Sequence, residues 1–173
     1  MAEGCRLFGG VAGSVNVELA TLVRLAQIEN IVGVKEASGN IGQMATILNE
    51  VPATFLVLSG DDAVTIPLAA LGGRGVVSVV SNQIPGEMTQ LAQACLKGDF
   101  ESARRIQARY LPLMNVNFVE SNPIPVKAAM ALMGLLEPVY RLPMVPPAPH
   151  NLSRIEKVLE ATGLLVLSKS HAS

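Results

Sequence analysis

Three runs of mostly aliphatic residues, separated by helical patterns, constrain the fold of this chain more than any other feature. The runs lie at residues 31–34, 55–58 and 76–80. Strands that are apolar along their whole length, rather than at alternate positions, are typical of a parallel sheet covered on both faces. The order of strand, helix, strand, helix and strand therefore predicts an α/β fold built on parallel strands.

Helices are predicted between these runs from the helical spacing of apolar residues and from capping residues. Asn16 is predicted to cap the first helix and Asn40 the second. A short third helix should end at Leu71, where Gly72 and Gly73 stop it. This glycine-rich stretch has the composition of a phosphate-binding loop, but it precedes a strand, whereas phosphate loops follow one. We therefore interpret it as a helix terminus.

The pattern is helical from residue 85 to residue 163. Asp99 is predicted to cap one of these helices, which should bend near Pro112 because proline cannot continue the hydrogen-bond ladder. The last helix is predicted to open with a capping box formed by Ser153 and Glu156, and to close at Gly163. This part of the chain therefore predicts a helical region that follows the sheet.

Composition argues against several classes of partner. The net charge is −1 and there is no basic run, which argues against nucleic-acid binding. No apolar stretch reaches the roughly 18–20 residues that span a bilayer, and no signal-peptide pattern is visible. The two cysteines do not form a disulfide framework, and Cys95 lies on an apolar helical stripe. We expect a cytoplasmic protein with no membrane or nucleic-acid partner.

Lys35 is the residue with the clearest chemical potential. It ends the apolar run 31–34 and precedes a turn and a helix start. An amine at the edge of an apolar interior is partly desolvated, which favours its neutral, nucleophilic form and allows a Schiff base with a carbonyl substrate. Most lysines at strand ends instead reach solvent on their flexible stems, so this position alone does not establish catalysis.

Other polar residues have simpler interpretations. Glu36 follows Lys35 directly, so strand alternation points it to the opposite face, in a structural or solvated role. Asp61 and Asp62 could suggest a metal site, but no histidine or third carboxylate accompanies them at ligand spacing, and they are expected to cap turns. Lys127 is a rival nucleophile, but its place in the first turn of a helix predicts a solvated amine.

Five motifs occur in a fixed order: NIVGVKEASGN at 30–40, LSGDDA at 58–63, LGGRGVVSVVSN at 71–82, NPIPVKAAMALMGL at 122–135 and RLPMVP at 141–146. In this order and spacing they resemble the carboxyl-terminal half of the dihydrodipicolinate synthases. Those enzymes belong to the N-acetylneuraminate lyase family of class I, Schiff-base aldolases. The resemblance runs from residue 15 to residue 165.

The resemblance implies a truncated (β/α)8 barrel: its last three parallel strands with their helices, and a carboxyl-terminal helical region. It implies a partial barrel over 15–98 and the helical region over 99–165. One chain of this length cannot close the barrel, which typically needs about 250 residues. Residues 1–14 and 166–173 are interpreted as a foreign or disordered leader and a disordered trailer.

The resemblance also assigns roles to three residues. Lys35 would form the imine with pyruvate, Gly60 would lie at the pyruvate pocket, and the main-chain carbonyl of Val77 would line that pocket. Sites on barrels of this kind sit at the carboxyl ends of the strands, where Lys35 stands. The family uses no cofactor and no catalytic metal. Its reaction, in lysine biosynthesis, condenses pyruvate with aspartate semialdehyde.

The sequence departs from the family at one motif. The family has Tyr-Asn-x-Pro-x-Arg-Thr shortly before the lysine, with a tyrosine for proton transfer and an arginine for the second substrate's carboxylate. At that spacing this chain has Leu7 and Ala12. General acid–base groups typically contribute about 10²–10⁴-fold each, so we expect a chain that is inactive or nearly so.

Two alternatives remain open at this point. The relative could be another pyruvate aldolase, such as N-acetylneuraminate lyase, or the chain could be a self-associating scaffold without enzymatic role. Half of the residues are hydrophobic but only 3% are aromatic, and the mean hydropathy of +0.41 is high for a small domain. Together with strand edges left open on both sides, this favours self-association, most simply as a homodimer.

Overall fold

The computed structural model describes residues 6–9, 11–12 and 15–165, with side chains from residue 16 onwards. The predicted leader and trailer, with Cys5 and His171, therefore lie largely outside the described residues. The strands are β1 (Arg6–Gly9), β2 (Val11–Ala12), β3 (Val15–Asn16), β4 (Ile31–Glu36) and β5 (Leu56–Ser59). The helices are α1 (Leu19–Leu25), α2 (Ile41–Glu50), α3 (Thr65–Ala70), α4 (Pro85–Leu96), α5 (Phe100–Val116), α6 (Ile124–Leu132) and α7 (Pro149–Thr162).

The predicted parallel sheet is present, in the order β1-β4-β5. Strand β4 lies in the middle, and Lys35 stands opposite Gly9 on one side and Leu58 on the other. Strands β2 and β3 form a separate antiparallel pair. From the sequence, one edge of strand 31–34 was predicted to have no partner, and no strand was predicted before residue 15. The parallel pairing of β4 with β1 corrects both expectations.

The third predicted strand, at 76–80, is much shorter than expected. Val76 makes a single parallel bridge to Ser59, and the chain then enters a 3-10 turn at Val80–Asn82. Two backbone hydrogen bonds join residues 74–77 to β5, from Arg74 N to Val57 O (2.9 Å) and from Val77 N to Ser59 O (2.7 Å). The pairing stops there because β5 itself ends at Ser59, which leaves later valines without a partner strand.

The described chain divides into two compact units that interleave in sequence. Unit 1 comprises residues 1–78 and 88–105, and unit 2 comprises residues 79–87 and 106–173. The predicted division into 15–98 and 99–165 was drawn by type of secondary structure and stays a prediction. Among the described residues, no helix is long and apolar enough to cross a membrane.

The core of unit 1 is aliphatic, as its composition predicts. Helices α1, α2 and α3 cover the sheet with buried side chains that include Leu22, Met44, Ile47 and Leu68, and Val57 of β5 belongs to the same core. Asn40 caps α2 as predicted, since its Oδ1 accepts the N–H of Gln43 at 3.1 Å. The cap predicted at Asn16 is wrong: Glu18 holds the cap position of α1.

The glycine-rich stretch after α3 terminates that helix, as predicted. Gly73 N donates to Leu68 O at 2.9 Å, and Gly72 has a positive φ of 113°. A β-carbon on Gly73 would lie 2.6 Å from Cγ of Leu68, so only glycine fits at this position without displacing the leucine.

In unit 2, the described core includes Leu113, Met114, Ala129, Ile155 and Leu159. Helix α7 closes at Gly163 with a left-handed φ of 74°, as predicted. Its start differs from the prediction because the helix begins at Pro149, not at a Ser153 capping box. Proline suits the first turn, and Glu120 Oε1 accepts the N–H of the cap residue Ala148 at 2.9 Å.

Two further helix predictions have clear outcomes. Asp99 caps α5 as predicted, because its Oδ1 accepts the N–H of Ser102 at 3.0 Å. Helix α5 continues to Val116 with Pro112 inside it, and the bend predicted there stays a prediction. Cys95 is buried as expected, and burial raises the pKa of its thiol.

Candidate active site at the carboxyl end of the sheet

Lys35 and Gly60 are in direct contact. Lys35 is the fifth residue of β4, and Gly60 follows the last residue of β5. A β-carbon built on Gly60 would lie 2.9 Å from Cε of Lys35 and 2.6 Å from Cβ of Ala37. The absence of a side chain at residue 60 is therefore what lets the lysine stem pass.

Val77 completes the set of residues that the sequence singled out. Its N–H donates to the carbonyl of Ser59 at 2.7 Å, next to Gly60 in sequence. Lys35, Gly60 and Val77 thus lie at the carboxyl end of the same sheet, where parallel strands place their functional residues. The role of the Val77 carbonyl in a pyruvate site stays a prediction.

The main chain fixes the end of β4 against the end of β5. Glu36 pairs with Ser59 in the strand register, and Gly60 N donates to the carbonyl of Glu36 at 2.5 Å. This bond continues the ladder one residue beyond β5, so the backbone that follows Lys35 is held on the β5 side.

The side chain of Glu36 is buried, with 1% of its surface exposed. Its Oε1 accepts the backbone N–H of Ser38 at 3.1 Å and an N–H of the Gln43 side chain at 3.4 Å. Strand alternation predicted a face opposite to Lys35, and a structural role is consistent with these bonds. The solvated alternative for Glu36 is wrong, because helix α2 covers the carboxylate.

Two residues of this network were not identified from the sequence. Asn16 and Gln43 exchange two side-chain hydrogen bonds, at 2.7 and 3.2 Å. Asn16 therefore pairs with α2 instead of capping α1. The available signal was a polar residue at position 43, in the first turn of a helix that follows the candidate lysine.

The turn after β5 is stabilised by its own polar residues. Ser59 Oγ donates to the carbonyl of Asp61 at 2.6 Å, and Asp61 Oδ1 accepts the N–H of Ala63 at 2.9 Å. Thr65 Oγ1 donates to the carbonyl of Asp62 at 2.8 Å. Asp61 therefore caps the 3-10 turn Asp62–Val64 as predicted, and no three metal-ligating side chains cluster within the described part of the chain.

The rival lysine lies in unit 2. Lys127 Nζ donates to the carbonyl of Val139 and lies 5.4 Å from the centre of the Tyr140 ring. The amine therefore has a carbonyl acceptor and an aromatic face as its contacts. The expectation that Lys127 is simply solvated is therefore incomplete, and these contacts do not favour it as a nucleophile.

Unit 2 also contains an apolar cavity of about 490 Å³. Its walls combine side chains of α6, of the proline-rich segment before α7 and of α7 itself, and they include Ala128, Leu132, Pro138, Tyr140 and Leu152. The described residues that line this cavity include no carboxylate and no amine, so they offer no group that would orient a charged substrate.

Leu7 and Ala12 occupy the positions of the missing motif. Leu7 lies on β1 opposite Gly33, and Ala12 lies on β2 opposite Val15. Their side chains are outside the described residues. Their backbones thus belong to strands, one of which is adjacent to the strand that carries Lys35.

A family model described as the dihydrodipicolinate synthetase family matches residues 11–162. A 4-hydroxy-tetrahydrodipicolinate synthase of Koribacter versatilis is 51% identical over 88% of this chain and 51% of its own length. The corresponding protein of Pelodictyon phaeoclathratiforme is 48% identical over 87% of this chain and 51% of its own. The chain thus spans about half the length of these curated relatives.

Solved structures give the same result. Dihydrodipicolinate synthase from Aquifex aeolicus superposes with a TM-score of 0.88 at 38% identity, over 92% of this chain and 55% of that one. The chloride-inhibited dihydrodipicolinate synthase from Acinetobacter baumannii complexed with pyruvate has a TM-score of 0.90 at 33% identity. That match covers 95% of this chain and 57% of the other.

Proposed function

Because the chain belongs to the dihydrodipicolinate synthetase family, we propose that Lys35 is a Schiff-base lysine that condenses with pyruvate. The proposal rests on one observation above all: Lys35 lies at the carboxyl end of a parallel strand, packed against a glycine that has no room for a side chain. Barrel enzymes place their reacting groups at this end of the sheet.

The chemistry needs only the amine and the keto acid. The nitrogen lone pair attacks the keto carbon, the former carbonyl oxygen leaves as water, and a carbon–nitrogen double bond forms. Gly60 would let the backbone come close to the bound acid, and the Val77 carbonyl would line the same site. No cofactor or metal enters this step.

The parent reaction would continue with aspartate semialdehyde. The curated relatives named above are 4-hydroxy-tetrahydrodipicolinate synthases, which favours this second substrate over the alternative of N-acetylneuraminate lyase chemistry. We propose that these 173 residues alone form the imine but do not complete the condensation. Leu7 and Ala12 cannot transfer a proton or bind a carboxylate in place of tyrosine and arginine.

Trapping with borohydride tests the imine. The chain is incubated with pyruvate and reduced, and the intact mass and a peptide map locate the carboxyethyl group. Lys35→Arg should abolish the adduct, whereas Lys127→Arg, the matched control, should retain it. An adduct on Lys127, or no adduct at saturating pyruvate, would refute Lys35 as the nucleophile.

A role as a self-associating scaffold is the second candidate. It is favoured by large apolar side chains that remain exposed in unit 2, among them Leu142 at 87% and Val139 at 63%. Exposed apolar surface of this kind marks protein–protein contacts. We propose a homodimer as the simplest closed assembly. A chain that associates but forms no adduct would support the scaffold role over the enzymatic one.

A further inference from the structure

Glu36 places a carboxylate where burial is unfavourable. The side chain is 1% exposed, and its Oε2 is buried without a hydrogen-bond partner among the described residues. The hydrogen bonds that are present come from neutral groups, a backbone N–H and a primary amide. Burying a carboxylate without a paired cation is costly, and an apolar side chain would fill this space at lower cost.

What the carboxylate does is hold the connection that leaves β4. Its Oε1 accepts the N–H of Ser38, Ser38 Oγ accepts the N–H of Asn40, and Asn40 Oδ1 accepts the N–H of Gln43. Gln43 then returns its side-chain N–H to the same Glu36 oxygen. The four residues form a closed ring of hydrogen bonds between the end of β4 and the first turn of α2.

The backbone of Glu36 is bonded to the residue that follows β5. Its carbonyl accepts the N–H of Gly60 at 2.5 Å, and Gly60 contacts the stem of Lys35. A change in the orientation of the Glu36 peptide would therefore shift Gly60 relative to Lys35. The side-chain ring binds the same residue from the opposite side, so Glu36 connects the first turn of α2 to Gly60.

We propose that Glu36 is a positioning residue for Lys35: its buried carboxylate fixes the peptide that aligns the lysine amine with Gly60. The inference rests on the proposed imine chemistry and extends it to a residue that makes no contact with the keto acid. A displacement of about 1 Å at a reacting group can reduce a rate by up to about 10²-fold, so loss of the carboxylate should slow imine formation.

Three variants of the full chain test this. Glu36→Ala removes the acceptor and should slow borohydride trapping of pyruvate on Lys35 by about tenfold or more. Glu36→Gln keeps an oxygen that can accept both hydrogen bonds, and since a single neutral hydrogen bond has a modest net energy, it should trap within about threefold of wild type. Met44 is fully buried and lies on α2, next to Gln43. Met44→Ala therefore weakens the core of unit 1 but removes no hydrogen bond of the ring.

Rescue by glutamine separates positioning from general destabilisation. Trapping rates are compared at a temperature where circular dichroism shows all four chains folded. A slow Glu36→Ala, with Glu36→Gln and Met44→Ala close to wild type, supports the proposal. Trapping by Glu36→Ala at the wild-type rate overturns it, and so does an equal loss in Met44→Ala, since a purely structural role predicts that result.

Amide hydrogen exchange decides the matter if wild type forms no adduct. The absence of an adduct would refute the proposed imine, but the hydrogen bonds between β4, α2 and Gly60 could still be tested. Glu36→Ala should lose protection at the amides of Ser38 and Gly60, and Glu36→Gln should keep it. Unchanged protection at Gly60 in Glu36→Ala would overturn the positioning role, whatever the outcome for pyruvate.

Discussion

The Cε atom of Lys35 lies 2.9 Å from the point at which a side chain on Gly60 would begin. Carbon atoms in favourable contact stay about 3.5–4.0 Å apart, so a methyl group at residue 60 would displace the lysine stem. The carbonyl oxygen of Glu36 also lies 2.9 Å from that point, so a methyl group could not avoid the lysine by shifting towards β4. The position of the lysine stem therefore depends on the absence of a side chain at Gly60.

Gly60→Ala should reduce pyruvate adduct formation on Lys35 by about tenfold or more, because the amine must move from its place at the sheet end. The rate of borohydride trapping measures this. Gly86→Ala is the matched control: no heavy atom lies within 4 Å of its β-carbon position, and alanine is favoured over glycine within a helix. Equal trapping by wild type and Gly60→Ala would contradict the contact.

Synthase turnover by these 173 residues should be absent or nearly so. The positions of the family's tyrosine and arginine are Leu7 and Ala12, and loss of acid–base groups typically reduces a rate by about 10²–10⁴-fold each. A coupled assay with pyruvate and aspartate semialdehyde measures the rate. Turnover of about 1 s⁻¹ or more, within the normal range of enzymes, would refute this prediction.

Glu120 should make the stability of unit 2 depend on pH. The side chain of Asn151 and then the N–H of Ala148 donate to its carboxylate, and both lower its pKa from the ordinary value of 4.5. A lowered folded-state pKa gives stability that is present above the unfolded value and is lost as pH falls through the folded one.

Thermal melting of wild type and Glu120→Gln from pH 7 down to acid measures this effect. Wild type should melt at the higher temperature at pH 7, and its advantage should shrink once the pH falls below about 4.5. Glu156→Gln, an exposed glutamate on α7, serves as control. A difference between wild type and Glu120→Gln that stays constant with pH would argue against the charged hydrogen bonds.

Gln83 and Asn117 form a buried reciprocal amide pair in unit 2, with N–H···O distances of 2.7 and 3.2 Å. Replacing either residue by leucine should lower the free energy of unfolding by about 1–3 kcal/mol, because the remaining amide is buried without its partner. The double variant should lose less than the sum of the two. A double-mutant cycle by urea unfolding measures the coupling, and additive losses would contradict it.

The chain is expected to self-associate. Strand β1 pairs only with β4 among the described residues, and the bridge at Val76 leaves the opposite edge short. Open edges are templates for a second chain, and an interface that replaces them should bury more than about 1,000 Å². Sedimentation equilibrium at micromolar concentration measures the mass, and a folded 18.2 kDa species independent of concentration would refute the prediction.

Local patterns were reliable where a residue acts within its own element. The caps at Asn40 and Asp99 and the stop at Gly163 each depend on neighbours a few residues away. The capping box at Ser153 failed because the helix begins earlier, at Pro149, and Glu120, 28 residues before Ala148, accepts the N–H of that cap residue. A distant partner of this kind leaves no trace in the local pattern.

The sequence determined that buried parallel strands carry Lys35 and Gly60 to one end of a sheet, since strand type and direction follow from continuous apolar runs. Tertiary structure alone decided where the sheet stops and what lies behind the lysine. Run 76–80 had strand composition but lost its partner at Ser59, and Glu36 gained its role from Gln43 on a helix packed over it. Pairing and burial depend on which segments meet, and periodicity along one segment cannot specify that.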